Sequence, residues 1–185
     1  MRTSSWILPC TLLFIFIKQA QSQNNVAIVD TYLLSQIQKN TQEVFEYRLT
    51  SMHTSSISDI QHFYFSQTLN DIEIIGTSSS LHLSSESKII SDSNHFIKNA
   101  GDRLSSNSTP VISAKEVIEL VADQLGYEIT EALSILKSGQ GAFEDYIVSS
   151  GGFSLTPILA KLKYFSSNNG ALELVWEITI EELDH

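Results

Sequence analysis

Cysteine is nearly absent from this chain, and so are proline and basic charge. The single cysteine, Cys10, lies in an apolar N-terminal stretch, so the chain beyond that stretch has no thiol and can make no disulfide. A core must then hold it together alone, because no cross-link limits its unfolded ensemble. Three prolines and eight glycines in 185 residues leave room for regular elements and exclude collagen-like or proline-rich architectures. Eleven basic residues against twenty-one acidic ones give a net charge of −10. No basic stripe runs along the chain, which excludes a nucleic-acid partner, since phosphate binding depends on clustered Lys and Arg. Catalytic arrangements are also missing. The histidines are His53, His62, His82, His95 and His185, and no two are four apart, so the two-histidine helix of a zinc protease is not encoded. Serines are many, but none stands with a positioned base and acid.

What is present begins with a secretion signal. Arg2 is followed by an apolar run from Trp6 to Ile17 and by the small, polar Ala20-Gln-Ser22. This layout predicts a signal peptide over 1–22 with cleavage near residues 20–23, and export to the extracellular space. The run is shorter than the roughly 20 residues that span a bilayer, so no stable membrane anchor is expected. Lipid attachment at Cys10 is disfavoured, because the apolar run follows the cysteine instead of preceding it. Removal of Arg2 and Lys18 leaves 9 basic residues against 21 acidic ones, a net charge of −12 on about 163 residues.

Residues 61–98 alternate apolar and polar side chains over several short runs. Phe63 and Phe65 face one way and Tyr64 the other; Leu81 and Leu83 share a face opposite Ser80, His82 and Ser84. A period of two marks half-buried strands. Turn formers gather at Asn70-Asp71, at 76–79 and at 84–87. Four short strands in an antiparallel meander follow. Upstream, Val26 to Ile37 reads as a helix with Ala27, Tyr32, Leu33 and Ile37 apolar, while 44–54 fits either a first strand or a helix extension.

A polar, turn-rich stretch at 99–110 reads as a linker. It holds Asn107-Ser-Thr109, a glycosylation acceptor in a eukaryotic source, disfavoured by the following Pro110. The clearest helix signal comes next. Ser113 and Glu116 form a capping box, Ile112 and Val117 are placed for a hydrophobic staple, and Ala114, Val117, Ile118, Val121, Ala122 and Leu125 share one face up to Gly126. Residues 127–137 fit a strand or a short helix, and Tyr146 to Val148 fits a strand. Ala160 to Phe165, the turn pair Asn169-Gly170 and the run from Leu172 read as a hairpin. Leu172, Leu174, Trp176, Ile178 and Ile180 would face one side, each contributing about 1.5–3 kcal/mol if buried.

The run His62-Phe-Tyr-Phe-Ser-Gln67-Thr-Leu-Asn70-Asp-Ile72-Glu-Ile-Ile-Gly76 resembles the propeptide motif of fungalysin and thermolysin-type secreted zinc metalloproteases. Leu81-His-Leu83, Lys88-Ile-Ile90 and His95-Phe96 continue the resemblance over about forty residues. Asp71 stands where that family usually has Gly. The later helix and hairpin, with Leu172-Glu-Leu-Val-Trp176-Glu-Ile178, resemble a PepSY-like module that follows the first in such precursors. The resemblance implies an α+β fold, an antiparallel β-meander packed with helices in two small propeptide-like modules. The expected division is 1–22 signal, 23–98 first module, 99–110 linker and 111–185 second module. The second module normally gains a further strand, so the sequence is expected to be a fragment of a longer precursor or a truncated relative.

The function implied is that of a propeptide region, an intramolecular chaperone and inhibitor of a metalloprotease catalytic domain met in cis or in trans. The alternative is a free-standing secreted binding or inhibitor module. The chain itself is expected to be no enzyme and to need no cofactor, with zinc confined to a cognate catalytic domain. His62, Tyr64 and Gln67 on the motif strand are the candidate contacts, with Trp176 next. Ordinary sheet packing is the competing role for each. His62 and His82 fall on neighbouring strands, where hydrogen-bonded strand histidines are favoured over a metal pair. Asp184-His185, Glu144-Asp145 and Glu181-Glu182 lack the spacing of a ligand loop and read as solvated charge.

Overall fold

The structure is a computed structural model that describes residues 26–36, 45–105, 109–139 and 145–182. The expected signal at 1–22, Asn107, Glu144 and the Asp184-His185 pair lie outside these residues. The architecture is α+β: two helices and two antiparallel sheets, each sheet with one helix packed on it.

Helix α1 covers residues 26–36. It buries Val29, Tyr32 and Leu33, an i, i+3, i+4 stripe, while the apolar Ala27 is exposed. The stripe packs on Phe63, Phe65, Leu81 and Leu83, the four strand positions whose alternation pointed inward. Two tyrosines tie the helix down, Tyr32 donating to Asp92 and Tyr47 to Asp30.

The first sheet contains β1 (Glu46–Thr54), β2 (Gln61–Leu69), β3 (Ile72–Glu73), β4 (Ser79–Leu83) and β5 (Ile89–Ser93), in the order β1-β2-β4-β5 with β3 also on β2. Residues 46–54 are thus a strand and not a helix extension. β3 and β4 share one edge of β2, with β4 opposite Gln61–Phe65 and β3 opposite Thr68 and Leu69. The link is a two-residue turn in which Asn70 (φ 49°) and Asp71 (φ 66°) are both left-handed. Both central residues of a type I′ hairpin turn need positive φ, and Asn and Asp tolerate it through their short polar side chains. Asp71 therefore does the work of the glycine usual in the motif, and its carbonyl accepts from Arg48 Nη2 at 2.9 Å.

Helix α2 (Ala114–Leu125) begins and ends where the sequence places it. Ser113 and Glu116 exchange both bonds of the capping box, and Gly126 closes the helix at φ 78°. Ala114, Ile118 and Ala122 are buried, but Leu125 is exposed: the helix packs through a narrow line of residues four apart, and Leu125 falls outside it. The second sheet runs in order β6 (Ile135–Lys137), β7 (Asp145–Val148), β8 (Ile158–Ser166) and β9 (Leu172–Thr179). The region 127–137 thus becomes a strand only in its last three residues. Trp176, Ile178 and Ile180 pack with Ile118, Val148 and Ile158 under the helix.

Leu172 and Leu174 go to a different core. With Tyr164 and Leu172 from the hairpin, Ile72 and Ile74 from the first sheet and Ala100 from the connection form a third cluster. The segment 99–110 is therefore partly built into the structure: Gly101–Arg103 form a 3-10 turn, Ala100 is buried, and Ser105 N–H donates to Leu172 O at 2.9 Å. Main chains also meet, with Ile75 N–H donating to Tyr164 O at 2.8 Å. At the same seam Lys163 pairs with Glu73 at 3.1 Å and Glu177 at 3.3 Å. Burial works to lower the Lys163 pKa, but its bonds and charge interactions with Glu73 and Glu177 outweigh that and leave it above the ordinary lysine value.

Candidate contact surfaces

The antiparallel register sorts the candidate residues by face. Phe63 and Phe65 point at α1, so their neighbours His62 and Tyr64 point away from it, both half-buried. His62 stands opposite His53 on β1 and His82 on β4. Its Nδ1 lies 2.8 Å from Nδ1 of His82, and its ring stacks on His53 with centroids 4.7 Å apart. Tyr64 stacks with His53 at 5.9 Å and meets His82 edge-on at 6.0 Å. The result is a continuous aromatic surface over three strands, with His53 exposed at its rim.

Gln67 lies elsewhere. It is 1% exposed, its Oε1 accepts from Ile97 N–H at 2.7 Å, and its Nε2 donates to Ile97 O at 2.9 Å. Its own N–H donates to the Thr77 hydroxyl at 3.0 Å. Ser66 and Thr68 are buried beside it, so the alternation of the strand gives way there to burial on both faces. Gln67 binds the chain to itself and has no surface to offer a partner. The structure thus separates Gln67, buried against Ile97, from His62 and Tyr64 on the outward face.

Trp176 sits 5.7 Å from Tyr146 in an edge-to-face pair and donates from Nε1 to Ile112 O at 3.0 Å. It floors a groove of about 340 Å³ with Pro110, Val111, Ile112, Ile135 and Tyr146 around it. The indole thus both packs the start of α2 and lines an apolar cleft; Val111 and Ile135 at its rim are exposed. Tyr146 and Ile135 were not singled out from the sequence, because the pairing of β6 with β7 was not legible. His53 was missed for a similar reason: its strand was unassigned, so its register opposite His62 had no basis.

Among the described residues no group of three His, Cys, Asp or Glu side chains could hold a metal ion, and no helix is long and apolar enough to cross a membrane. The surfaces suit protein contact: aromatic, half-exposed and free of clustered charge.

Residues 45–96 match the fungalysin/thermolysin propeptide motif, a non-catalytic segment that here spans β1 to the residues after β5. The chain is also similar to fungal extracellular metalloproteinases over most of its length. It is 28% identical to extracellular metalloproteinase 1 of Trichophyton rubrum over 156 residues, covering 80% of this chain and 24% of the relative. It is 22% identical to extracellular metalloproteinase 5 of Arthroderma otae over 152 residues, covering 82% and 24%. The metalloproteinase of Fusarium vanettenii is 25% identical over 142 residues, covering 75% and 21%. The chain thus spans about a quarter of the length of the relatives it matches.

Proposed function

We propose that this chain is the propeptide region of a secreted zinc metalloprotease precursor, and that it assists the folding of a catalytic domain and keeps it inactive. The observation that carries the reading is the propeptide motif at 45–96 within a similarity to extracellular metalloproteinases that covers about four fifths of the chain. The apolar N-terminal segment supports export through a signal peptide over 1–22, with cleavage near residues 20–23. The helix and hairpin of 111–185 act in this reading as a second, PepSY-like module, joined to the first through the core around Tyr164. Zinc belongs to the catalytic domain, whose peptide-cleaving chemistry it supplies, and this chain adds no ligand to it.

The contact surfaces assigned to the catalytic domain are the outward face with His62 and Tyr64 and, separately, the Trp176 groove. Both are apolar or aromatic and uncovered, which suits a large, temporary interface. A mature fungalysin-type protease assayed for peptide hydrolysis with increasing amounts of the purified chain tests this. Saturable inhibition, weakened about tenfold or more by Tyr64→Ser and unchanged by Ser58→Ala in the β1–β2 loop, is the expected result. A folded chain that inhibits no such enzyme would overturn the reading in favour of a free-standing binding module.

A further inference from the structure

The outward face of the first sheet carries three histidines in one line. His53, His62 and His82 stand directly opposite one another on β1, β2 and β4. The Nδ1 atoms of His62 and His82 are 2.8 Å apart. Two nitrogens at that distance share one hydrogen, so one ring is the Nδ1–H tautomer and the other accepts. A first added proton can go to the outward Nε2 of the donor ring and leave the bond in place, now charge-assisted. A second must go onto the accepting Nδ1. There it removes the acceptor and sets two positive rings in contact, with His53 stacked 4.7 Å away.

We propose that the His53–His62–His82 row is an acid-operated switch, closed by one shared hydrogen at neutral pH and forced apart when both members of the pair are protonated. Among the described residues, those next to the row on β2, β4 and β5 carry no negative charge to offset it. β2 contributes Tyr64 and β4 contributes Ser80, while β5 places Ser91 opposite His82. Asp92 on β5 turns the other way, to Tyr32, and Arg48 further along β1 holds the Asp71 carbonyl. A metal ion does not explain the row, because neither these three side chains nor any other such group among the described residues is placed to hold one. Partial burial first, then the charges of His82 and His53, hold the His62 pKa below the ordinary histidine value.

The sign follows. The unfolded chain takes its proton at the ordinary pKa of about 6.5, whereas the folded His62 resists until a lower pH. Stability is therefore whole above that value and is lost as pH falls toward the folded pKa. The switch belongs to the sheet and stands whether or not the chain inhibits a protease.

The test is an imidazole NMR titration of the purified chain between pH 8 and 4.5, with melting temperature recorded over the same range. The expected result is a His62 midpoint below the ordinary histidine value and a melting temperature that falls across the same interval. In His82→Ser the midpoint returns to the ordinary range and the fall flattens; in His53→Ser, which leaves the Nδ1 pair intact, the midpoint moves by less. If His82→Ser does not fold, the wild-type titration and His53→Ser decide. A wild-type His62 that titrates at the ordinary value, or one that His82→Ser leaves unmoved, overturns the proposal.

Discussion

Replacing Gln67 separates a structural role from a contact role. Its carboxamide pairs with both backbone groups of Ile97, accepting at 2.7 Å and donating at 2.9 Å, and holds the chain after β5 against β2. In Gln67→Leu both Ile97 groups lose their partner, at about 1–3 kcal/mol for each buried group left unmade. Ile97 is half-buried, so water recovers part of this, and leucine adds about 1 kcal/mol of apolar burial. The net loss is about 2–3 kcal/mol, a urea midpoint lower by about 1–2 M. Gln67→Glu sharpens the test. The carboxylate can still accept from Ile97 N–H but faces the Ile97 carbonyl as a second acceptor in a buried site, so its folded pKa is raised. Its contribution is present at low pH, where the protonated acid can donate, and lost as pH rises through that value. Equilibrium urea unfolding followed by tryptophan fluorescence at pH 7 and pH 4.5 reads both effects. A midpoint shift under about 0.3 M for Gln67→Leu, with inhibition lost, would refute the structural assignment and return Gln67 to the contact surface.

Removing the cap with Ser113→Ala should cost about 1 kcal/mol in the same unfolding assay. The Ser113 backbone N–H, with its side chain, holds the Glu116 pKa below the usual value, so the carboxylate's half of the capping box is complete above the ordinary carboxylate range and is lost as pH falls below it. Unfolding curves for Glu116→Gln and wild type should therefore converge as pH falls below the carboxylate range, and a constant gap over that range counts against the capping box. At the seam, a double-mutant cycle of Lys163→Met and Glu73→Gln should give a coupling of about 1–2 kcal/mol, above the 0.2–1 kcal/mol of exposed pairs, because the Lys163 side chain is only 13% exposed. A coupling near zero would mean that the apolar cluster around Tyr164 alone joins the sheets.

Local rules carried much of the fold. The capping box, the glycine that ends α2, the hairpin at Asn169-Gly170 and the inward positions Phe63, Phe65, Leu81 and Leu83 depend on neighbours within a few residues, and a period or a turn pair is enough to find them. The outward placement of His62 and Tyr64 follows from the same alternation. The face of α2 was read less well: Leu125 was placed with Ala114, Ile118 and Ala122, while the sheet accepts only a narrow line from that helix. What the sequence by itself determined was therefore most of the elements, the lack of cysteine beyond the apolar N-terminal stretch and the resemblance of residues 62–96 to a propeptide motif. Tertiary structure alone decided that Gln67 is buried, that Ala100 in the connection joins Tyr164 and Leu172 in a shared core, and that His53 completes a row with His62 and His82. Each of these depends on residues brought together from distant parts of the chain. Register across strands and packing between sheets set such meetings, and neither leaves a period in the sequence.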